Sequence, residues 1–203
     1  RRVALDEVSA LLFRIDPVDV TSALVSRAAA LGVPRDALDA ATSRPPHAVL
    51  APLVAVGEGR ALVRTFYVSL DPGGASEGTP WLEADAETAI EAAITEARRL
   101  SRSPPNGRYR LVAARPESLR HASVRGASLS AAALVSAYAL WTGRAVLSDV
   151  VVTGRVVGTR VVAVGAIAPK VRAAVAAGAH AIVVPARDRD EALRAARDDI
   201  EVL

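Results

Sequence analysis

The stretch from Arg160 to Gly178 reads RVVAVGAIAPKVRAAVAAG and contains both kinds of secondary structure that recur along the chain. Its valine-rich first part, Arg160–Val164, is predicted to be a β-strand, because β-branched side chains fit the extended backbone of a sheet. Its second part has small apolar residues at helical spacing, which predicts a helix over Ala168–Ala177 that ends at Gly178. Strands and helices mix elsewhere without strict alternation, which favours an α+β fold with a mixed α/β sheet.

Lys170 lies in the first turn of this predicted helix and is the only lysine in the chain, against 24 arginines. Arginine stays protonated in proteins, whereas a lysine amine can lose its proton. The helix dipole opposes a cation in the first turn, and partial burial lowers the pKa of an amine further. Lys170 is therefore a candidate general base. The alternative is a solvated lysine without a function, and these facts alone do not separate the two.

Ser128 is the second candidate and lies at the start of an alanine-rich helix predicted over Ser128–Trp141. A serine in this position is usually an N-cap that accepts a backbone N–H, and Ser130 could cap equally well. The same position suits a nucleophile, because the unpaired N–H groups at a helix N-terminus can stabilise an oxyanion. Gly126 would let the backbone approach a substrate carbonyl closely. Both interpretations stay open on this evidence.

The composition excludes several classes of protein. The 203 residues include 51% hydrophobic and 3% aromatic side chains, which is globular composition, and no apolar run is long enough to span a membrane. The net charge is +3, but arginines and acidic residues alternate, so a nucleic-acid partner is not expected. A phosphate-binding P-loop needs Gly-Lys-Ser/Thr, and Lys170 follows Pro169, so ATP would act only through another segment or subunit. The absence of cysteine and of a signal peptide favours a cytoplasmic protein.

The chain is predicted to divide into a helical N-terminal extension, residues 1–44, and a larger domain, residues 45–203, because Ser43-Arg44-Pro45-Pro46 breaks the helical pattern. In the larger domain the strands Ala48–Val56 and Ala61–Leu70 are predicted to form a hairpin, with Pro52 favouring an edge position. Three N-terminal helices are predicted over Val3–Phe13, Val18–Leu31 (capped by Asp16, with Pro17 near its start) and Val33–Ala41. The other predicted helices are Ala84–Leu100 and Arg189–Arg197, and the other predicted strands are Tyr109–Ala114, Asp149–Thr153, Ala181–Pro185 and Glu201–Leu203.

A series of landmarks resembles the proteolytic domain of Lon-type Ser–Lys proteases. They are Gly126-Ala127-Ser128-Leu129-Ser130, Thr142-Gly143-Arg144, Val152-Thr153-Gly154, Val162-Ala163-Val164-Gly165, Lys170 and Ala177-Gly178. Lys170 follows Ser128 by 42 residues, which is similar to the spacing in that family, and the resemblance is best over Ser123–Arg189. The chain has Arg125, Ala127, Ser130 and Arg155 where the family has an acidic residue, a proline, a glycine and a glutamate.

The resemblance implies a Lon-like proteolytic-domain fold and hydrolysis of peptide bonds in polypeptide substrates. It implies that Ser128 is the nucleophile, that Lys170 takes its proton, and that Thr153 orients the lysine amine. Backbone groups of Gly126 and Ala127 would form the oxyanion hole. The resemblance further implies a homo-oligomeric ring, a possible ATPase module elsewhere, and no cofactor or metal bound by this chain. The alternative is a catalytically degenerate domain of the same fold, used for oligomer assembly or for binding a partner.

Overall fold

The computed structural model describes residues 16–20, 22–54, 61–71, 81–102, 104–119 and 123–203. The predicted helix Val3–Phe13 and the last two residues of the predicted strand Ala48–Val56 lie outside these residues. The helices are α1 (Ser22–Ala30), α2 (Arg35–Thr42), α3 (Ala84–Leu100), α4 (Ser130–Thr142), α5 (Ile167–Ala176) and α6 (Arg189–Ala196). The strands are β1 (Val49–Val54), β2 (Ala61–Leu70), β3 (Tyr109–Ala113), β4 (Val150–Val152), β5 (Arg155–Val157), β6 (Arg160–Val162), β7 (Ala181–Val183) and β8 (Glu201–Val202).

Six of the strands form one mixed sheet in the order β3-β2-β1-β4-β7-β8. The hairpin β1–β2 and the pair β2–β3 are antiparallel, whereas β1–β4, β4–β7 and β7–β8 are parallel. The strands β5 and β6 form a separate antiparallel hairpin. The prediction of a mixed α/β sheet is therefore confirmed.

Helices cover both faces of the sheet. Successive residues of its central strands point to opposite faces and are therefore buried against different helices. Val49 and Ala51 of β1 pack with α3 and α4, whereas Leu50 between them packs with α5 and α6. The apolar face of α3 consists of Ile90, Ala93, Ile94 and Ala97, which are buried, while Leu100 at its end is exposed. Among the described residues, none of the helices combines the length and the apolar sequence needed to cross a membrane.

The edge position predicted for the strand that contains Pro52 is wrong. The strand β1 lies inside the sheet, between β2 and β4. Proline is tolerated there because the parallel pairing with β4 is short: Leu50 lies opposite Val151, and β4 ends one residue later at Val152. Pro52 therefore stands opposite the end of β4, where a missing backbone donor removes no hydrogen bond of the ladder.

Two further predicted elements differ in extent. The strand predicted over Arg160–Val164 is the shorter β6, and it pairs with β5, which the sequence analysis did not predict, instead of joining the main sheet. The predicted helix Val18–Leu31 is a 3₁₀ turn over Pro17–Asp19 followed by α1. The N-cap prediction for Asp16 is confirmed, since its carboxylate accepts the N–H of Val18 at 3.1 Å.

Asp16 also attaches this segment to the main sheet. Its carboxylate is buried and accepts hydrogen bonds from the N–H of Thr65 at 3.1 Å and from the Thr65 hydroxyl at 2.7 Å. The carbonyl of Thr65 meanwhile accepts the N–H of Ala114, the residue that follows β3. Asp16 thus satisfies a backbone donor of β2 that has no partner strand at this point. The division of the chain at residue 44 stays a prediction.

Candidate active site

A cleft of about 340 Å³ brings Ser128 and Lys170 to the same place in the molecule. Residues 124–128 form one wall and residues 163–166, which precede Lys170, form another. Leu53 and Val54 from the end of β1 and Arg155 from β5 complete the lining. The two candidates that the sequence singled out, 42 residues apart, therefore share one concave surface.

Ser128 lies in a 3₁₀ turn, Ala127–Leu129, that leads directly into α4. The helix begins at Ser130, two residues later than predicted, and the Ser128 side chain makes no hydrogen bond to any described residue. Ser130 instead performs the structural role, because its hydroxyl accepts the N–H of Val156 at 2.8 Å and donates to the carbonyl of Ala127 at 2.7 Å. Ser128 is half-buried, and helix capping does not account for it.

The turn that carries Ser128 is fixed from the opposite side by Gly154. The N–H of Gly154 donates to the carbonyl of Ser128 at 3.1 Å, and the N–H of Ala131 donates to the carbonyl of Gly154 at 3.1 Å. Gly154 has φ +154°, and a Cβ atom there would lie 2.5 Å from Cγ1 of Val161. A glycine is therefore required where the end of the β4 segment approaches the turn.

The loop before Ser128 is tied to the start of α3. Glu83 donates its N–H to the carbonyl of Val124 at 3.0 Å, and its carboxylate pairs with the Arg125 guanidinium at 2.9 Å. Asp85 accepts the N–H of Gly126 at 2.9 Å. In contrast, the N–H groups of Ala127 and Ser128 have no acceptor among the described residues. Two free donors thus lie at the turn, while that of Gly126 is already used.

Lys170 is the fourth residue of α5 and is buried, with 3% of its surface exposed. Burial lowers the pKa of its amine from the usual 10.5 to about 8, and the nearby negative charge of Asp188 partly opposes this change. The helix starts at Ile167, so Pro169 is its third residue. Ala166, which precedes the helix, has φ +58°, a left-handed conformation that costs an alanine about 1–2 kcal/mol.

Two acidic residues that the sequence analysis did not single out hold the segment before Lys170. Asp188 accepts the N–H of Val164 at 2.9 Å, and Glu191 accepts the N–H of Ala168 at 3.3 Å. Both lie at the start of α6, more than 20 residues after the groups they bind. The sequence gives no sign of these contacts, because acidic residues are common at the start of any helix, where they interact favourably with the helix dipole.

Thr153 is buried, and its hydroxyl has no hydrogen-bond partner within the described part of the chain. Its N–H donates to the carbonyl of Val183 at 3.1 Å, which fixes the backbone at the end of β4. The side chain is not among those that line the cleft. A buried hydroxyl without a hydrogen-bond partner lowers the stability of the fold, and the described residues provide no such partner for Thr153.

Ser128 and Lys170 are not joined by a hydrogen bond in this structure, and neither side chain bonds another described residue. The dyad, the role of Thr153 and the oxyanion role of Gly126 and Ala127 therefore stay predictions. Across the described ranges, no group of three or more histidine or acidic side chains is placed to hold a metal ion.

The comparison with protein families bears on the same part of the chain. Residues 123–201 match the Lon protease (S16) C-terminal proteolytic domain. This segment contains Ser128, Thr153 and Lys170, and the match supports the resemblance to a Lon-type proteolytic domain that the sequence indicated. A comparison with curated proteins gave no significant match.

Proposed function

We propose that this chain is a serine peptidase domain in which Ser128 is the nucleophile and Lys170 is the general base. The observation that carries the proposal is the burial of the chain's only lysine in the cleft that contains Ser128. With a pKa of about 8, roughly one amine in ten is neutral at pH 7, against about one in 3,000 at the usual value. A base of this strength suits proton transfer near neutral pH.

The reaction follows from these positions. The Ser128 hydroxyl attacks the carbonyl carbon of a peptide bond while neutral Lys170 accepts its proton. The C–N bond of the tetrahedral intermediate then breaks, and protonated Lys170 gives that proton to the departing amine. Water attacks the remaining ester with Lys170 again as base, which releases the acid product and restores the Ser128 hydroxyl.

Three groups support these steps. The free N–H groups of Ala127 and Ser128 are suited to stabilise the oxyanion, whereas Gly126 shapes the turn and its N–H is bound to Asp85. The hydroxyl of Thr153, which lacks a partner within the described residues, is proposed to accept a hydrogen bond from the lysine amine and to orient it. No hydrogen bond joins the two side chains in the structure described here, so the proposal requires this bond to form in the active state.

We further propose, from the family resemblance, that the substrates are polypeptides and that the domain works in a homo-oligomeric ring. Because Lys170 is the only lysine and is not in a P-loop, any use of ATP would come from another segment or subunit. The absence of cysteine supports a cytoplasmic location.

A second candidate is a non-catalytic domain of the same fold that serves in assembly or partner binding. The observation that favours it is the absence of a hydrogen bond between Ser128 and Lys170. Catalytic distances are often longer in active sites without ligand, so the peptidase proposal does not require this hydrogen bond in the ligand-free protein.

Two substitutions separate these candidates. Ser128→Ala and Lys170→Arg should each abolish cleavage of casein and labelling by a serine-reactive fluorophosphonate, because alanine has no nucleophile and arginine cannot act as a base. Ser148→Ala, at an exposed serine remote from the cleft, is the control and should keep full activity. Circular dichroism would verify that each variant folds. Unchanged turnover in Lys170→Arg would contradict the dyad, and an inactive wild type in its assembled ring would favour the non-catalytic domain.

A further inference from the structure

The cleft is strongly asymmetric in charge. The charged residues among its described lining are Arg125, Arg155 and Lys170, and none of the lining residues described is acidic. This differs from the chain as a whole, in which 25 basic residues are nearly balanced by 22 acidic ones. Among the described residues, the charged side chains that line the proposed site are therefore all basic.

The charge of Arg125 is already balanced. Its guanidinium pairs with Glu83 at 2.9 Å, and Glu83 also accepts a hydrogen bond from the hydroxyl of Ser123. A substrate carboxylate that approached Arg125 would have to compete with Glu83. Arg125 is therefore a poor candidate for recognising an acidic group.

Arg155 is different, because its exposed side chain has neither an ion pair nor a hydrogen bond with any described residue. Its backbone position is well fixed. On one side the N–H of Gly154 binds the carbonyl of Ser128, and on the other the N–H of Val156 binds the hydroxyl of Ser130. The antiparallel pairing of Arg155 with Val162 in the β5–β6 hairpin also fixes the backbone of Arg155. The backbone of Arg155 is thus fixed beside the turn that carries Ser128, the proposed nucleophile, while its guanidinium has no partner among the described residues.

We propose that Arg155 is a specificity-determining residue that selects polypeptides with an aspartate or glutamate close to the scissile bond. The inference rests on the proposed function of the cleft. A guanidinium presents paired N–H donors whose spacing matches the two oxygens of a carboxylate, and the missing internal partner leaves these donors available. The substrate class is therefore an acidic peptide segment.

The test uses a set of quenched fluorescent peptides that differ only in one residue beside the scissile bond, which is aspartate, glutamine or lysine. For the wild type we expect kcat/KM to be roughly twofold to fivefold higher for the aspartate peptide than for the glutamine peptide, as for an exposed ion pair. Arg155→Gln should remove this preference, and Arg155→Glu should reverse it in favour of lysine. High salt should reduce the preference, because it screens exposed charges.

Arg160→Glu is the matched control. It makes the same charge change in the same hairpin, but Arg160 is exposed and is not among the residues that line the cleft. Its ratio of aspartate to glutamine cleavage should equal that of the wild type. Because each variant is judged by a ratio of two substrates, a partly unfolded preparation does not alter the result.

The outcomes separate the two proposals. Equal cleavage of all three peptides, or a preference that survives in Arg155→Gln, would overturn the role of Arg155 and leave the peptidase assignment intact. If no peptide is cleaved, the peptidase assignment fails, and the selectivity is decided by fluorescence anisotropy with the same peptides on the Ser128→Ala variant. Tighter binding of the aspartate peptide that is lost with Arg155→Gln would support the role of Arg155, and equal Kd values would refute it.

Discussion

Replacing Lys170 with methionine should stabilise the folded protein near neutral pH while it abolishes the proposed activity. Methionine is an unbranched apolar side chain one atom shorter than lysine, and it removes an amine that is protonated at pH 7 in a residue that is only 3% exposed. The pKa of the amine falls from 10.5 to about 8 on folding, which means that the folded environment destabilises the protonated amine, relative to the neutral one, by about 3 kcal/mol. The increase in the free energy of unfolding will be smaller than this, because the variant also loses the attraction between the lysine amine and the Asp188 carboxylate.

The dependence on pH has a definite sign. Below pH 8 the amine holds its proton in both the folded and the unfolded chain, so the wild type bears the full cost of burying the charge. Between about pH 8 and 10.5 the unfolded chain holds more protons than the folded one, so the stability of the wild type rises with pH. The advantage of Lys170→Met is thus largest at neutral pH and disappears as the pH rises through this window.

Chemical denaturation of both proteins at a series of pH values would measure the effect. At pH 7 an advantage of about 1–3 kcal/mol is expected, which corresponds to a melting temperature higher by roughly 2–12 °C in a chain of this size. Since the chain has one lysine, selective isotope labelling gives a single side-chain NMR signal that titrates with the pKa of Lys170. A stability difference that does not change with pH, together with a signal that titrates near 10.5, would refute the reasoning and remove the main support for a lysine base.

Two other substitutions test the framework around the site. Asp16→Ala should lower the free energy of unfolding by about 3 kcal/mol, because it leaves the buried donors of Thr65 without an acceptor, whereas Asp19→Ala, which removes an exposed ion pair, should cost less than about 1 kcal/mol. Similar losses in urea denaturation for both would contradict this. Gly154→Ala should cost about 3 kcal/mol and also reduce kcat, since the added Cβ displaces the residue that binds the carbonyl of Ser128. Gly158→Ala in the nearby turn has open space around it and should cost only about 1–2 kcal/mol with kcat unchanged.

Much of the fold could be predicted because apolar residues recur at regular spacing in the elements that bury only one face. The strand Ala61–Leu70 and the helix Ala84–Leu100 have the bounds that the sequence indicated. Pairing between distant strands left no comparable signal. The position of Pro52 depends on where β4 ends, about 100 residues later, and no local pattern records that. The hairpin β5–β6 was missed because β5 has only three residues, Arg155–Val157, between Gly154 and Gly158, which is too short a segment to show an alternating pattern.

The candidate site shows the same division. The unusual residue type at position 170 pointed to an amine with a special environment, and the structure gives it a buried position and a lowered pKa. The exchange of roles between Ser128 and Ser130 could not be read from the sequence, because both lie at the start of one helix. Only the contact of Ser130 with Val156 shows which serine is structural. The free state of Arg155 likewise depends on which carboxylates the fold places near it.

The attachment of the Lys170 segment to Asp188 and Glu191 has a consequence for the order of events during synthesis. The backbone N–H groups of Val164 and Ala168 acquire their partners only after the start of α6 has been made and has left the ribosome. Until then the loop with the left-handed Ala166 lacks these two hydrogen bonds. Under the proposed function, a nascent chain that contains Ser128 and Lys170 but not yet α6 would therefore lack activity, and neighbouring nascent polypeptides would be protected from premature cleavage.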